Sequence, residues 1–284
     1  MSNRKQRVEI AKETLAILER GNYHNRLNEI VDLSAEITFS KCHSIHYLED
    51  SFPQVIAERN LLSQQLPANS TEFSVINETT LCAAHRLVRG DGIEKVLCLN
   101  FASAMSPGGG FLNGSQAQEE SLARATALYP CLAQMNQMYD INRQFGSELF
   151  TDNMIYSPRV SVFRDDEDLL LDQHFNVSIL TAPAVRANRI TIPEEIEQIP
   201  KVMLNRIEKL LSIAAIHNYS TLVLGAWGCG VFGNQPEQVA KDFYYHLVQN
   251  PHLNRFFKKV VFAVLDNTTE ESNINPFRQV FCTK

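Results

Sequence analysis

The sequence predicts an α/β fold in which helices cover both faces of a central sheet. Short apolar runs that fit buried strands alternate with amphipathic stretches that fit helices along most of the 284 residues. Two of these strands, at residues 96–99 and 222–224, each lead through a glycine-rich loop into a helix. Because ligands of α/β proteins bind where loops leave the carboxyl ends of strands, this repeated unit also predicts a binding site.

Composition and charge argue against several classes of protein. A hydrophobic fraction of 44% is enough for a large core, and a net charge of −6 without a basic block argues against general nucleic-acid binding. No apolar run is long enough to span a membrane, and the first residues lack the apolar core of a secretory signal. The six cysteines are scattered, which indicates reduced thiols. We therefore expect a cytoplasmic protein with no membrane partner, and delivery into a host cell stays open.

Residues 1–67 predict an N-terminal accessory segment of helices and a strand. Apolar residues at helical spacing predict a first helix over 4–20. Residues 31–39 alternate between apolar and polar side chains, which predicts a half-buried strand, and residues 53–62 fit a short helix. The polar, proline-containing stretch that follows predicts the connection to a main domain, which we expect to span 68–284.

The first glycine-rich loop joins a strand to a helix that opens with adjacent acids. Three consecutive glycines, at 108–110, permit positive φ and let a ligand approach bare main chain. A glutamine, two glutamates and then apolar side chains at helical spacing follow: Gln118, Glu119, Glu120, Leu122, Ala125 and Leu128. Such a loop offers an anion free N–H groups and the positive end of a helix dipole. Acids also occur in first helical turns for dipole reasons alone, so this loop by itself leaves a structural role open.

The second glycine-rich loop interleaves glycines with large aromatic residues. These are Gly225, Trp227, Gly228, Gly230, Phe232 and Gly233. Pro236 stands near the first position of the helix that comes next. The loop lacks the Gly-Lys-Ser/Thr of a Walker loop and does not fit G-x-G-x-x-G. Its composition suits a diphosphate that is attached to a ring or a sugar.

Together these stretches resemble the poly(ADP-ribose) glycohydrolases. The family signature is similar to the GGG and QEE elements here, and its microbial branch is similar over NFASAMSPGGGFLNGSQAQEESLARATALYPCL. Its diphosphate loop resembles GAWGCGVFGN. The resemblance implies a macrodomain-like fold, a three-layer α/β/α sandwich with a mixed sheet that binds ADP-ribose. It implies no cofactor or metal, and Cys42, His43 and His46, which lie close together without an acid, are expected to be ordinary surface or half-buried residues.

The resemblance also assigns roles to individual residues. Glu120, the second acid, corresponds to the catalytic acid/base, and Glu119 corresponds to a residue that positions the substrate. Adjacent helical residues project about 100° apart, so the two carboxylates do not easily flank one bond and a division of labour suits them. The other residues expected to bind substrate are Gln118, Gly109, Gly110, Ser103, Asn100, Glu78, Gly228, Cys229, Gly230, Val231 and Phe232.

Two of these assignments depart from the usual pattern of the family. Glu78 stands where macrodomains usually have an aspartate that accepts from the adenine amino group, and a helix cap is its alternative role. Ser103 stands where animal-type members have an asparagine that contacts the distal ribose, although the microbial branch also reads FAS.

The function that these residues predict is an ADP-ribosyl glycohydrolase. Its substrate would be poly(ADP-ribose) or an ADP-ribosylated protein, and its product would be ADP-ribose. One alternative is a reader macrodomain that binds ADP-ribose without cleaving it, and another is a non-catalytic α/β domain. The intact acid pair and the two glycine loops favour the enzyme. The sequence leaves open whether polymer ends or single ADP-ribose groups are cleaved, and on which target protein.

Overall fold

The computed structural model describes residues 3–67 and 69–282. Its strands are β1 Asn22–His24, β2 Ile30–Asp32, β3 Ile45–Tyr47, β4 Glu72–Ile76, β5 Val96–Phe101, β6 Met154–Arg164, β7 Leu170–Ala182, β8 Thr221–Leu224 and β9 Lys259–Ala263. Its α-helices are α1 Arg4–Arg20, α2 Ser34–His43, α3 Phe52–Ser63, α4 Thr80–His85, α5 Gln118–Ala125, α6 Tyr129–Ala133, α7 Asn136–Phe145, α8 Pro193–Ile196, α9 Ile199–Ile216, α10 Pro236–Tyr244 and α11 Asn275–Phe281. Within this described part of the chain, no helix has both the length and the apolar character needed to cross a bilayer.

Seven strands form one mixed sheet in the order β3-β6-β7-β5-β8-β9-β4. The last five run parallel, whereas β6 is antiparallel to β7 and β3 is antiparallel to β6. Leu97 and Leu99 pack into a core with α9 and α10, while Val96 and Cys98 pack into a second core with α4 and α7. Because side chains of a strand alternate between faces, the two cores lie on opposite sides of the sheet. This three-layer α/β/α arrangement confirms the predicted fold class.

The N-terminal segment is attached to the main sheet. Strand β3 pairs with β6 as an edge strand, and Phe52 and Val55 of α3 are buried in the core that contains α9. Helix α1 has the predicted bounds; Asn3 caps its start, and Gly21 ends it with a φ of +76°. The division of the chain at residue 67 stays a prediction about domain organisation.

The strand predicted over residues 31–39 is wrong. Strand β2 ends at Asp32, whose Oδ1 accepts a hydrogen bond from the Ser34 N–H (2.8 Å) where α2 begins. Leu33 and Ile37 are both buried, and their separation by four residues places them on one face of the helical segment. The same apolar residues fit a period of two and a period near four, and the longer period is the one that the fold uses.

The helix that follows the acid pair is shorter than the apolar spacing predicts. Helix α5 ends at Ala125, and Thr126 is extended and forms an isolated β-bridge with Val162 of β6. Leu128 therefore lies outside α5, just before α6.

Candidate active site

A cleft of about 570 Å³ opens at the carboxyl ends of the parallel strands. Its walls come from the segments that follow β4, β5, β7, β8 and β9, together with the first turns of α5. Carboxyl ends of parallel strands meet at one edge of a sheet, which is where ligands of α/β proteins bind. Both strand–loop–helix units that the sequence singles out therefore contribute to one site.

Glu119 is buried beside the cleft, with 3% of the residue exposed. Its Oε2 accepts a hydrogen bond from the Ser103 N–H (2.7 Å), and its Oε1 accepts one from Asn100 Nδ2 (3.2 Å). Asn100 does not line the cleft; it is fully buried and also donates to Thr181 Oγ1 (3.2 Å). Burial raises the pKa of Glu119 to about 8, an effect that the two hydrogen bonds oppose and Glu120 reinforces. A large fraction of Glu119 is therefore protonated at neutral pH.

Glu120 is seated against the triple glycine. Its Oε1 accepts a hydrogen bond from the Gly110 N–H (2.9 Å). Gly109 has a φ of +60°, and a Cβ at that position would contact Glu120 Oε1 and lie 3.0 Å from Glu119 Oε2. A glycine is thus required both by the left-handed backbone and by the approach of the two carboxylates. Gly109 and Gly110 contact the acids and are not part of the cleft wall.

Gln118 joins the start of α5 to the carboxyl end of β5. Its Oε1 accepts from the Phe101 N–H (2.8 Å), and its Nε2 donates to the Leu99 carbonyl (2.7 Å) and to Thr80 Oγ1 (3.0 Å). Both ends of the amide are engaged within the protein, although the residue lines the cleft. The geometry therefore supports a role in orienting the acids that follow it.

Two arginines that the sequence does not single out hold the loop between the glycines and α5. Arg124 is buried and donates to the Ser115 carbonyl (3.0 Å) and to Gln116 Oε1 (2.5 Å). Arg7 of α1 donates through Nε to the Gly114 carbonyl (2.8 Å). The N-terminal helix thus packs against the loop that carries the triple glycine.

The loop after β8 supplies N–H groups that have no partner among the described residues. Four of its residues line the cleft and, within the described chain, have N–H groups that donate to no other residue: Gly228, Gly230, Val231 and Phe232. Clusters of free backbone N–H groups bind anions. Cys229 does not line the cleft, and its N–H donates to the Ala226 carbonyl (3.2 Å).

The Phe232 ring is held from two directions. The Phe150 ring lies 6.3 Å from it between centroids, and the Arg186 guanidinium lies 5.8 Å from its centroid. Arg186 also lies 3.8 Å from the Glu148 carboxylate. The ring therefore has a defined position on the cleft wall.

Glu78 lines another part of the cleft, where Arg86 donates to its Oε1 (2.6 Å). The alternative role predicted for Glu78, a helix cap, belongs to its neighbour Thr79. Thr79 Oγ1 accepts from the Cys82 N–H (3.0 Å) at the start of α4 and donates to Asp166 Oδ2 (2.6 Å). The hydroxyl thus ties α4 to the turn between β6 and β7.

The loop after β9 adds residues that sequence reasoning missed, among them Leu265, Asn267 and Asn273. Asp266 holds this loop, because its carboxylate accepts from the N–H groups of Thr268 (3.0 Å) and Asn273 (2.7 Å). Burial acts to raise the pKa of Asp266, but these hydrogen bonds outweigh it and hold the pKa below its ordinary value. The rule that ligands bind beyond strand ends could have pointed to this loop. No such signal marks Asp166 or Arg124.

Metal-ligating side chains form no cluster in the part of the chain that the structure describes. In residues 3–67 and 69–282, no group of three or more His, Cys, Asp or Glu side chains is arranged to hold a metal ion. His46 instead shares a hydrogen bond with Asn153 Oδ1 (3.1 Å).

The chain is similar to one protein family and to several solved structures. The family model for the catalytic domain of microbial-type poly(ADP-ribose) glycohydrolase (PARG) matches residues 11–165. The crystal structure of PARG from Thermomonospora curvata is 40% identical, with a TM-score of 0.89, and the match covers 98% of this chain and 100% of that one. A search of curated proteins finds no match.

Two further structures were solved with small molecules bound. PARG from Thermomonospora curvata bound to the inhibitor ADP-HPD is 39% identical, with a TM-score of 0.88 and coverage of 97% of this chain and 99% of that one. PARG from Deinococcus radiodurans in complex with ADP-ribose is 37% identical, with a TM-score of 0.79 and coverage of 86% and 96%.

Proposed function

We propose, from the premise that this chain belongs to the microbial-type poly(ADP-ribose) glycohydrolase family, that it hydrolyses the ribose glycosidic bond of poly(ADP-ribose) and releases ADP-ribose. The premise rests on the family model and on a 40% identical structure that matches nearly the whole chain. The solved relatives carry ADP-ribose or ADP-HPD, and we assign the same class of ligand to the cleft described above.

One observation carries the proposal. An adjacent pair of buried glutamates and a loop of free N–H groups line the same cleft at the carboxyl ends of the parallel strands. The first element suits acid/base chemistry on a sugar, and the second suits a diphosphate. ADP-ribose contains both groups in one molecule.

Glu120 is the acid/base in this proposal. Cleavage of the glycosidic bond passes through an oxocarbenium-like state, so the departing oxygen needs a proton while the bond breaks. The Glu120 carboxyl donates that proton, and water then attacks the anomeric carbon and returns a proton to Glu120. The hydrogen bond from the Gly110 N–H fixes the position of Oε1.

Glu119 positions the ribose. Its two oxygens are held by the Ser103 N–H and Asn100 Nδ2, so the carboxyl group has little freedom to turn. Because burial keeps a large fraction of it protonated, Glu119 offers a ribose oxygen a hydrogen-bond donor and adds little negative charge beside Glu120.

The second glycine-rich loop binds the diphosphate in this proposal. The free N–H groups of Gly228, Gly230, Val231 and Phe232 supply charge-assisted hydrogen bonds, which are stronger than neutral ones. The Phe232 ring packs on the sugar or the adenine. We assign the adenine amino group to Glu78, which lines the cleft with its ion pair to Arg86.

Chain ends of poly(ADP-ribose) are the substrate that we favour, since the family model is that of a poly(ADP-ribose) glycohydrolase.

We assign the enzyme to the cytoplasm, because its six cysteines are all free and a reducing compartment keeps thiols in that form.

The test is the release of free ADP-ribose from two substrates in parallel, one that carries poly(ADP-ribose) and one that carries single ADP-ribose groups on defined side chains. Release from the polymer alone is the expected result. Release from the single groups alone would replace polymer trimming by removal of mono-ADP-ribose. Tight binding of ADP-ribose with no release from either substrate would identify a reader and overturn the proposal.

A further inference from the structure

We infer that Asn188 is a positioning residue for substrate binding, because it holds the Val231–Phe232 peptide unit with the N–H toward the cleft. The inference rests on the proposed function, since it assigns a task within the loop that we propose binds the diphosphate. Asn188 follows β7 in the 3-10 turn Ala187–Arg189, and the residue is exposed.

Asn188 makes two hydrogen bonds to this loop, and both are to carbonyl groups. Its Nδ2 donates to the Val231 carbonyl (2.8 Å), and its backbone N–H donates to the Phe232 carbonyl (3.1 Å). Gly233 packs so closely that a Cβ on it would lie 2.8 Å from the Cβ of Asn188. One residue thus contacts three consecutive positions of the loop.

The planarity of the peptide bond converts these contacts into an orientation. In a trans peptide unit, the carbonyl and the N–H point in opposite directions. The Val231 carbonyl and the Phe232 N–H belong to one unit, so the bond from Asn188 Nδ2 directs that N–H away from Asn188. This N–H donates to no other residue in the described chain, and Phe232 lines the cleft. Loss of the Nδ2 donor therefore leaves the unit free to rotate.

Asn234 makes similar hydrogen bonds to carbonyl groups at the start of the loop. Its Nδ2 donates to the Val185 carbonyl (2.7 Å) and to the Gly228 carbonyl (3.0 Å). Asn234 is buried, so its replacement would cost stability as well as orientation. Asn188 is exposed, so its replacement should change the orientation of the peptide unit with little effect on stability.

ADP and adenosine are the probes, and calorimetric titration of the full chain is the measurement. Asn188→Ala removes the Nδ2 donor and keeps the backbone hydrogen bond. The Phe232 N–H then loses its hydrogen bond to the charged diphosphate, which predicts about tenfold weaker binding of ADP. Adenosine lacks the diphosphate and keeps its affinity. The melting temperature should change by less than about 2 °C, as for most surface substitutions. The value of kcat on saturating poly(ADP-ribose) should change by less than about twofold, whereas KM should rise.

Asn22→Ala is the matched control, because Asn22 Nδ2 also donates to a carbonyl at the surface (Arg20, 3.4 Å) and lies outside the cleft. It should leave both affinities unchanged. Asn188→Asp has the same shape without the donor, and it should weaken ADP binding at least as much as Asn188→Ala.

Equal affinity for ADP in the wild type and Asn188→Ala would overturn the inference. An equal loss for adenosine would also overturn it, since it would indicate a general distortion of the cleft. Failure of the wild type to bind ADP-ribose would count against the proposed function instead.

Discussion

Replacement of Gly109 by alanine tests whether the triple glycine exists to seat two acids. Gly109 has a φ of +60°, a conformation that costs a residue with a Cβ about 1–2 kcal/mol. In addition, the new Cβ would contact Glu120 Oε1 and lie 3.1 Å from Glu120 Cδ and 3.0 Å from Glu119 Oε2. Relief of these contacts requires the Glu120 carboxylate to move by about 1 Å, judged from ordinary van der Waals separations.

The expected loss of activity follows from that displacement. A reacting group displaced by about 1 Å costs about 100-fold in rate, which is about 2.7 kcal/mol at about 1.4 kcal/mol for each factor of ten. The backbone cost of about 1–2 kcal/mol should lower the melting temperature by a few °C. We therefore expect Gly109→Ala to fold, to lose about 100-fold in kcat and to melt only slightly earlier.

Gly92→Ala is the matched control. Gly92 has a φ of +68°, so alanine carries a similar backbone cost, but no atom lies within 4 Å of its new Cβ. Gly92 also precedes β5, at the end of the strand away from the cleft. Initial rates of ADP-ribose release from poly(ADP-ribose), together with thermal unfolding, compare the two variants. Equal activities of Gly109→Ala and Gly92→Ala would show that Gly109 is not needed to place the two carboxylates.

Two further substitutions test the electrostatics and the second loop. Burial raises the pKa of Glu119 to about 8 from an ordinary 4.5, so the unfolded chain releases this proton at lower pH than the folded one, and the group lowers stability as pH rises from about 5 to 8. Glu119→Gln lacks this proton, so its unfolding free energy minus that of the wild type should rise by about 2–4 kcal/mol from pH 5 to pH 8. Urea titrations at several pH values measure this difference, and a difference that does not change with pH would contradict the prediction. Phe232→Ala should weaken ADP-ribose binding about tenfold through lost stacking, whereas Phe145→Ala, an exposed phenylalanine outside the cleft, should not. Equal affinities of the two phenylalanine variants would show that the second loop does not contact the ligand.

The main domain could be predicted from the sequence because its strands are buried on both faces. The runs at residues 96–99 and 222–224 are apolar throughout, which is the pattern of parallel strands between two layers of helices. The N-terminal segment was harder, since β2 and α2 meet within a stretch that also alternates. Tertiary contacts select the helix there: Ser40 Oγ donates to the Arg159 carbonyl (2.8 Å) of β6.

Part of the candidate site could be predicted from the sequence, and part of it depends on the fold. The acids and the glycine loops are contiguous in sequence, and their pattern predicted one cleft. Groups that hold the glycine loops come from distant segments, such as Arg7 of α1 and Asn188 after β7. Each is an ordinary polar residue in sequence, and only the fold brings it within hydrogen-bond distance of its partner. The sequence pattern predicted Cys229 as a binding residue, but Cys229 does not line the cleft, and its N–H donates to the Ala226 carbonyl.

The most direct measurement is the rate of ADP-ribose release from poly(ADP-ribose) by the wild type and by Glu120→Gln, with the affinity of each for ADP-ribose. Glutamine keeps the shape of the side chain and can still accept from the Gly110 N–H, but it cannot deliver or receive the proton. We expect a loss of about 1,000-fold or more in rate with an affinity within about threefold of the wild type. A variant that releases ADP-ribose at the wild-type rate would contradict the assignment of Glu120 as the acid/base.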